Sequence, residues 1–194
     1  EGRAAHGFRP HLGINAIEGA ARILSSLDQL PMQSHPNFGR GNTCTLKIEG
    51  GYQIYSVVVP DHCRVEINRL LVPGESVATA LADMRHLIDT LGLQAKAEVA
   101  LKPPRYEPFT VSQDTPIMRI FHQVYQAVQG LEPRYAYCEG ITDANVFAEK
   151  GIPCLHLGPA RGNVHQPNEY VDIDGLASLS TMYALIAARY LTAS

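Results

Sequence analysis

Residues 102–108, KPPRYEP, place three prolines and three charged residues in seven positions. Proline has no amide hydrogen to donate, and its ring pushes the preceding residue out of helical geometry. Neither a helix nor a central strand can run through such a stretch, so it reads as a linker. It divides the chain into residues 1–104 and 105–194, and the hydrophobic patterns on the two sides differ.

On the N-terminal side, Ala16, Ile17, Ala20, Ile23, Leu24 and Leu27 recur at helical period behind Asn15, a side chain suited to capping a helix, and Pro31 stops the run. Alternation over Thr45–Glu49, then β-branched residues at Val57–Val59 and around Val65 and Ile67, predicts three strands punctuated by Gly50-Gly51 and Pro60-Asp61. PGES opens a second helix whose face carries Val77, Leu81, Met84, Ile88 and Leu91, with Gly92 as its stop. Residues 95–101 read as a last strand. The expectation is an α+β domain over 1–104, a four-stranded antiparallel sheet with two helices.

Beyond the linker the order becomes helix, strand, helix, strand, helix. Thr115-Pro116 starts a helix carrying Ile117, Ile120, Phe121, Val124 and Val128; Tyr135–Cys138 reads as a short strand. Thr142 caps a short helix that Gly151 ends, Ile152–Leu157 reads as a buried strand, and a final helix runs from about Asp174 to Leu191. That alternation suggests part of an α/β sheet with crossover helices, so the chain as a whole reads as α/β.

The chemistry classes narrow quickly. A net charge of −3, with no run of Lys or Arg longer than two, argues against a nucleic-acid or anionic-membrane surface. No apolar stretch approaches the length of a membrane span. Four scattered cysteines without a CxxC pair read as reduced thiols in a cytoplasmic protein, and Cys138 and Cys154 as packing residues in buried strands. GxSxG, GxGxxG and Walker A patterns are absent. His11, His35, His62, His86 and His122 each stand alone and read as solvated or capping, and His156 as a satisfied strand histidine. His165 differs: it lies in GNVHQPNEY, a polar loop between a strand end and a helix start, where ligands of open α/β sheets gather. Spacing alone leaves it open whether this histidine binds a metal or faces solvent.

Three stretches taken together are more specific. GRAAHGFRPHLGINAI (residues 2–17), GGYQIYSVVVPDHCRVEINRLLVPGES (50–76) and GITDANVFAEKGIPCLHLGPARGNVHQPNEYV (140–171) resemble, in order and spacing, the M20 family of zinc metallopeptidases and amidohydrolases. That is the acetylornithine deacetylase, succinyl-diaminopimelate desuccinylase, aminoacylase and carboxypeptidase group. The resemblance implies a lid or dimerisation domain at 1–104 and the C-terminal part of the catalytic domain at 105–194. It implies hydrolysis of a small-molecule amide or peptide, two zinc ions (cobalt or manganese as substitutes) and a homodimer formed through the lid. By position, His165 is similar to the final zinc ligand, and His6 to the lid histidine that reaches into the partner subunit's site and stabilises the oxyanion. Thr142 and Asp143 match substrate-positioning residues, and Glu169 an acid that orders the closing loop.

The sequence also departs from the family. Val57 stands where Asn is frequent, Asn68-Arg69-Leu70 where the family has Asp-x-Arg, and Ile141 where a second Gly is common. The family's other metal ligands and its general base come earlier in its sequences and are not among these 194 residues. The expectation is therefore a C-terminal fragment that is inactive alone, with a dimerisation or interaction module without chemistry as the rival reading.

Overall fold

The computed structural model describes residues 1–138 and 140–192, which form two units, Glu1–Pro108 and Phe109–Ser194. In the first unit, helix α1 (Ala16–Ser25) starts where the Asn15 side-chain oxygen accepts from the amides of Ile17 and Glu18, at 3.0 and 3.3 Å. A 3-10 turn at Leu27–Gln29 follows, then a two-residue pair, β1 (Ser34–His35) and β2 (Gly39–Arg40). The long ladder is β3 (Asn42–Gly50) antiparallel to β4 (Cys63–Leu70), with a bulge between Thr45 and Lys47. Helix α2 (Val77–Thr90) begins with a capping box in which Ser76 and Thr79 satisfy each other's backbone amides. Gly92, at φ +54°, turns the chain after it. Leu27, Leu30 and Leu87 form the centre of the core, with Leu24, Met32, Ile67 and Met84 packed around them.

The four-stranded sheet expected here is not what forms. Among the described residues this sheet holds two strands, and the other two segments pair only locally. Residues 57–61 lie beside the N-terminal segment: Gly7 donates to the Val57 carbonyl at 2.7 Å, Val59 to Ala5 at 2.8 Å and Gly2 to Asp61 at 2.7 Å, with His6 and Val58 forming one bridge. Pro60 has no amide to extend that pairing. Residues 95–101 are extended, and Lys96 exchanges hydrogen bonds with Glu1 in both directions, at 2.8 and 2.7 Å. One exchanged pair is short of a ladder, which needs consecutive partners.

In the second unit, α3 (Pro116–Gln129) packs against α5 (Ile173–Thr192), burying Met118, Phe121 and Val124 of one and Met182 of the other. Gly130, at φ +67°, closes α3 in the left-handed conformation that glycine adopts without a Cβ clash. Helix α4 (Asp143–Glu149) lies between them in sequence, and β5 (Arg161–Gly162) pairs with β6 (Tyr170–Val171) as a small hairpin. Tyr135–Cys138 and Ile152–Leu157 are not strands, contrary to the periodicity reading. Ile152, Cys138 and His156 are exposed and Cys154 is half-buried, so the two cysteines are not the packed residues expected. An apolar run becomes a buried strand only when a neighbouring strand takes up its amides and carbonyls, and among the described residues none pairs with either segment.

Candidate functional site

The β5–β6 hairpin carries the His165 loop. Arg161 pairs with Val171 and Gly162 with Tyr170, and below that rung Asp172 donates to the Ala160 carbonyl at 2.8 Å. The Tyr170 ring lies across Gly162 so closely that a Cβ there would meet it at 2.5 Å and would have to displace the exposed ring. Within the loop, Asn163, His165 and Asn168 all have positive φ, at 54°, 60° and 61°. Asparagine and histidine are both enriched among the non-glycine residues that enter this region, although any Cβ there carries a cost of roughly 1–2 kcal/mol. Residues held there over-determined by their surroundings cluster at functional sites. The His165 side chain is exposed, as is Glu169 in the same loop.

Thr142 caps α4. Its hydroxyl accepts from the Ala144 amide at 3.2 Å, and the Asn145 side chain accepts from the Thr142 amide at 3.1 Å. The Thr142 oxygen is thus engaged by the helix terminus, whereas Asp143, in the first turn, is exposed. The two are neighbours at the start of one helix. His6 belongs to the other unit, in the strip bridged to Val58. Its Nδ1 accepts from the Phe8 amide at 3.2 Å, which in the neutral ring places the proton on Nε2. The side chain is exposed, so that N–H is presented outward.

Two of the four cysteines are poorly suited to act as nucleophiles. Burial pushes the Cys63 and Cys154 thiols above their ordinary range, which disfavours the thiolate. A concavity of about 240 Å³ in the second unit is lined by Gln113, Met118, Arg119, His122, Gln123 and Tyr135 and includes none of the residues singled out from the sequence. Two clusters escaped the sequence reading. Asp61, hydrogen-bonded by His62 at 2.9 Å and by Tyr52, has its carboxyl held below the usual range by those bonds, the His62 bond first. Arg69, Glu75 and Asp83 form a buried ion network whose members lie on separate elements. Neither has a sequence spacing that would mark it.

With this geometry in view, the comparisons are consistent. Residues 1–96 match the family model described as the peptidase dimerisation domain of the M20 group. Over 193 residues the chain is 25% identical to the succinyl-diaminopimelate desuccinylase of Xanthomonas campestris pv. campestris (strain B100), covering 98% of this chain and 50% of that protein. A tripeptidase from Staphylococcus aureus subsp. aureus Mu50 superposes with a TM-score of 0.73 at 24% identity, covering 95% of this chain and 48% of its own. A dinuclear metal binding peptidase of the M20 family from Bacillus subtilis superposes with a TM-score of 0.63 at 20% identity, over 92% of this chain and 47% of its own. The fold is thus that of the α/β M20 peptidases. Residues 1–96 carry the M20 peptidase dimerisation domain, and the chain spans about half the length of the curated relatives it matches.

Proposed function

We propose that this chain contributes the dimerisation domain and one metal-ligating loop to a metal-dependent M20 hydrolase that cleaves the amide bond of a peptide or an N-acyl amino acid. The observation that carries the reading is the His165 loop: a histidine held at φ +60° on a short hairpin, in a chain whose other half matches the family's dimerisation domain. The substrate class is bracketed by the relatives, a desuccinylase on one side and a tripeptidase on the other.

The described residues do not build a metal site on their own. His165 is one nitrogen donor, and no group of three or more His, Cys, Asp or Glu side chains converges among the described residues. A zinc site needs at least three protein ligands. When bound, the metal pair would supply the activated water. This chain's own residues would do the rest of what can be assigned to it: His165 would offer its imidazole as a ligand, and His6 would donate from Nε2 to the oxygen on which charge develops as the amide carbonyl is attacked. Asp143 would stand at the substrate's edge. Thr142 would set that edge by fixing the start of α4.

The test uses protein expressed from the whole reading frame and loaded with zinc, assayed against N-succinyl and N-acetyl amino acids and against tripeptides. Metal-dependent hydrolysis lost in His165→Ala is the expected result. No hydrolysis of any of these amides would end the enzyme reading and leave the dimerisation module, which the family match at residues 1–96 favours on its own. A separate expectation concerns assembly. Sedimentation equilibrium of the chain should give twice the chain mass, and a persistent monomer at high concentration would remove the homodimer from the proposal.

A further inference from the structure

The proline-rich stretch that reads as a linker, residues 102–108, is tied to the first unit at both ends. At its start, Lys102 donates from Nζ to Glu66 of β4 at 2.5 Å. Near its end, both carboxylate oxygens of Glu107 accept from the Val77 amide, at 3.0 and 3.2 Å. Val77 opens α2, and its amide is one of the first-turn donors that no carbonyl inside the helix can satisfy. The capping box takes up the amides of Ser76 and Thr79, and Glu107 supplies an acceptor for Val77 from 30 positions further along the chain. Its negative charge also meets the positive end of the helix dipole. Pro103, Pro104 and Pro108 fix φ at their own positions in the same stretch.

The chain is fixed again from Ser112. The Ser112 carbonyl accepts from the Thr115 amide at 3.3 Å and from the Thr115 hydroxyl at 3.0 Å, and the Ser112 hydroxyl accepts from the Asp114 amide at 3.2 Å. Pro116 then starts α3. Among the described residues no hydrogen bond engages residues 109–111, and the boundary between the two units falls between Pro108 and Phe109.

We propose that the pivot between the two units is residues 109–111, and that Glu107 straps the proline-rich stretch to α2 so that it takes no part in the hinge. Three residues reach about 10 Å and turn only through their φ and ψ angles. Such a pivot lets the units swing but gives them little slack. Releasing Glu107 would extend the free stretch back to Pro103. This pivot does not depend on the hydrolase reading. His6 precedes it in the chain and His165 follows it, so any motion that changes their separation passes through it.

The test is nitrogen-15 relaxation and hydrogen exchange on the full chain. In the unmutated protein, the amides of Arg105, Tyr106 and Glu107 should be as ordered as those of α2, with order parameters of about 0.85, and those of residues 109–111 should fall below about 0.6. In Glu107→Ala, the order parameters of 105–107 should drop toward those of 109–111. Exchange at the Val77 amide should rise roughly tenfold, the loss of one charge-assisted bond. Glu107→Gln keeps the length of the side chain and one neutral acceptor, so it should show the same changes at smaller size, and it carries the test if the alanine variant does not fold. Order parameters at 109–111 as high as those of α2 would overturn the pivot. Residues 105–107 already as mobile as 109–111 in the unmutated protein, or unchanged in both variants, would overturn the strap.

Discussion

Replacing Glu75 with alanine is expected to destabilise the first unit by about 3 kcal/mol or more, the cost of breaking a buried ion pair from one side. Glu75 opens the turn into α2, and its side chain is 3% exposed. One carboxylate oxygen accepts from Arg69 at 3.1 Å and from the Gln33 amide at 3.4 Å; the other accepts from the Val72 amide at 3.0 Å. Arg69 in turn reaches Asp83 at 2.9 Å and the carbonyls of Pro31 and Ala80, at 3.0 and 3.2 Å. The guanidinium therefore ties β4 to α2 and to the segment after α1. Its Nε is buried with no partner among the described residues, so the group cannot lose more of its solvation without a compensating bond. Alanine at 75 leaves the Val72 amide and the guanidinium short of an acceptor in a site closed to water. The measurement is urea denaturation followed by hydrogen exchange at β4 and α2. The double variant Arg69→Met, Glu75→Leu should cost less than Glu75→Ala, because it removes both buried charges together. A loss below about 1 kcal/mol for the single variant would mean that water or Asp83 replaces Glu75, and that the network is incidental.

The second large effect concerns His6. In the metal-loaded protein from the whole reading frame, His6→Ala is expected to lower kcat by about 100- to 1,000-fold, with KM changed little. The direction of that split follows from the geometry. The bond from the Phe8 amide to Nδ1 leaves Nε2 to carry the proton of the neutral ring, which in the proposed role would be the donor. Such a donor acts on charge that exists only as the carbonyl is attacked, and therefore on kcat. The backbone around His6 is held independently of its side chain, since Gly7 donates to Val57 and Val59 to Ala5. His6→Ala should accordingly leave the thermal midpoint within a degree or two of the unmutated protein. A rise in KM at constant kcat would assign His6 to ground-state binding and reject the oxyanion role.

Both predictions touch residues that the amino-acid pattern reveals to different degrees. His6 stood out because small residues flank it and because the stretch around it resembles a known domain entry. Arg69 and Glu75 also lie in a resembling stretch, 50–76, but the resemblance assigns no role to either of them. Six positions apart, one on a strand and one in a turn, they meet where the turn after β4 folds the Glu75 carboxylate back onto Arg69. Asp61 and His62 are neighbours in sequence, and Tyr52 reaches Asp61 from the other side of the loop between β3 and β4. Asn163 and Asn168 are ordinary loop residues by composition, and their positive φ values and mutual bond belong to the folded hairpin.

The sequence by itself determined where the capped helices begin and where α2 and α3 turn, although α1 ends at Ser25, well before the Pro31 expected to stop it. Asn15, Ser76 and Thr142 cap their helices, and Gly92 and Gly130 turn the chain after theirs, because a cap needs only groups within about four residues. Hydrophobic period likewise picked out buried residues of α1 and α3, but the face it gave α2 left out Leu87, the residue that helix buries. Only the tertiary structure decided which extended segments become strands. Val57–Val59, 95–101 and 152–157 all have strand-like composition, yet a strand exists only by exchanging hydrogen bonds with a neighbour, and local sequence does not name the neighbour. It also decided how the His165 loop is closed: the residue type is written in the chain, but its positive φ and the hydrogen bonds from Asn163 to Asn168 and from Gln166 to Asn163 belong to the folded hairpin.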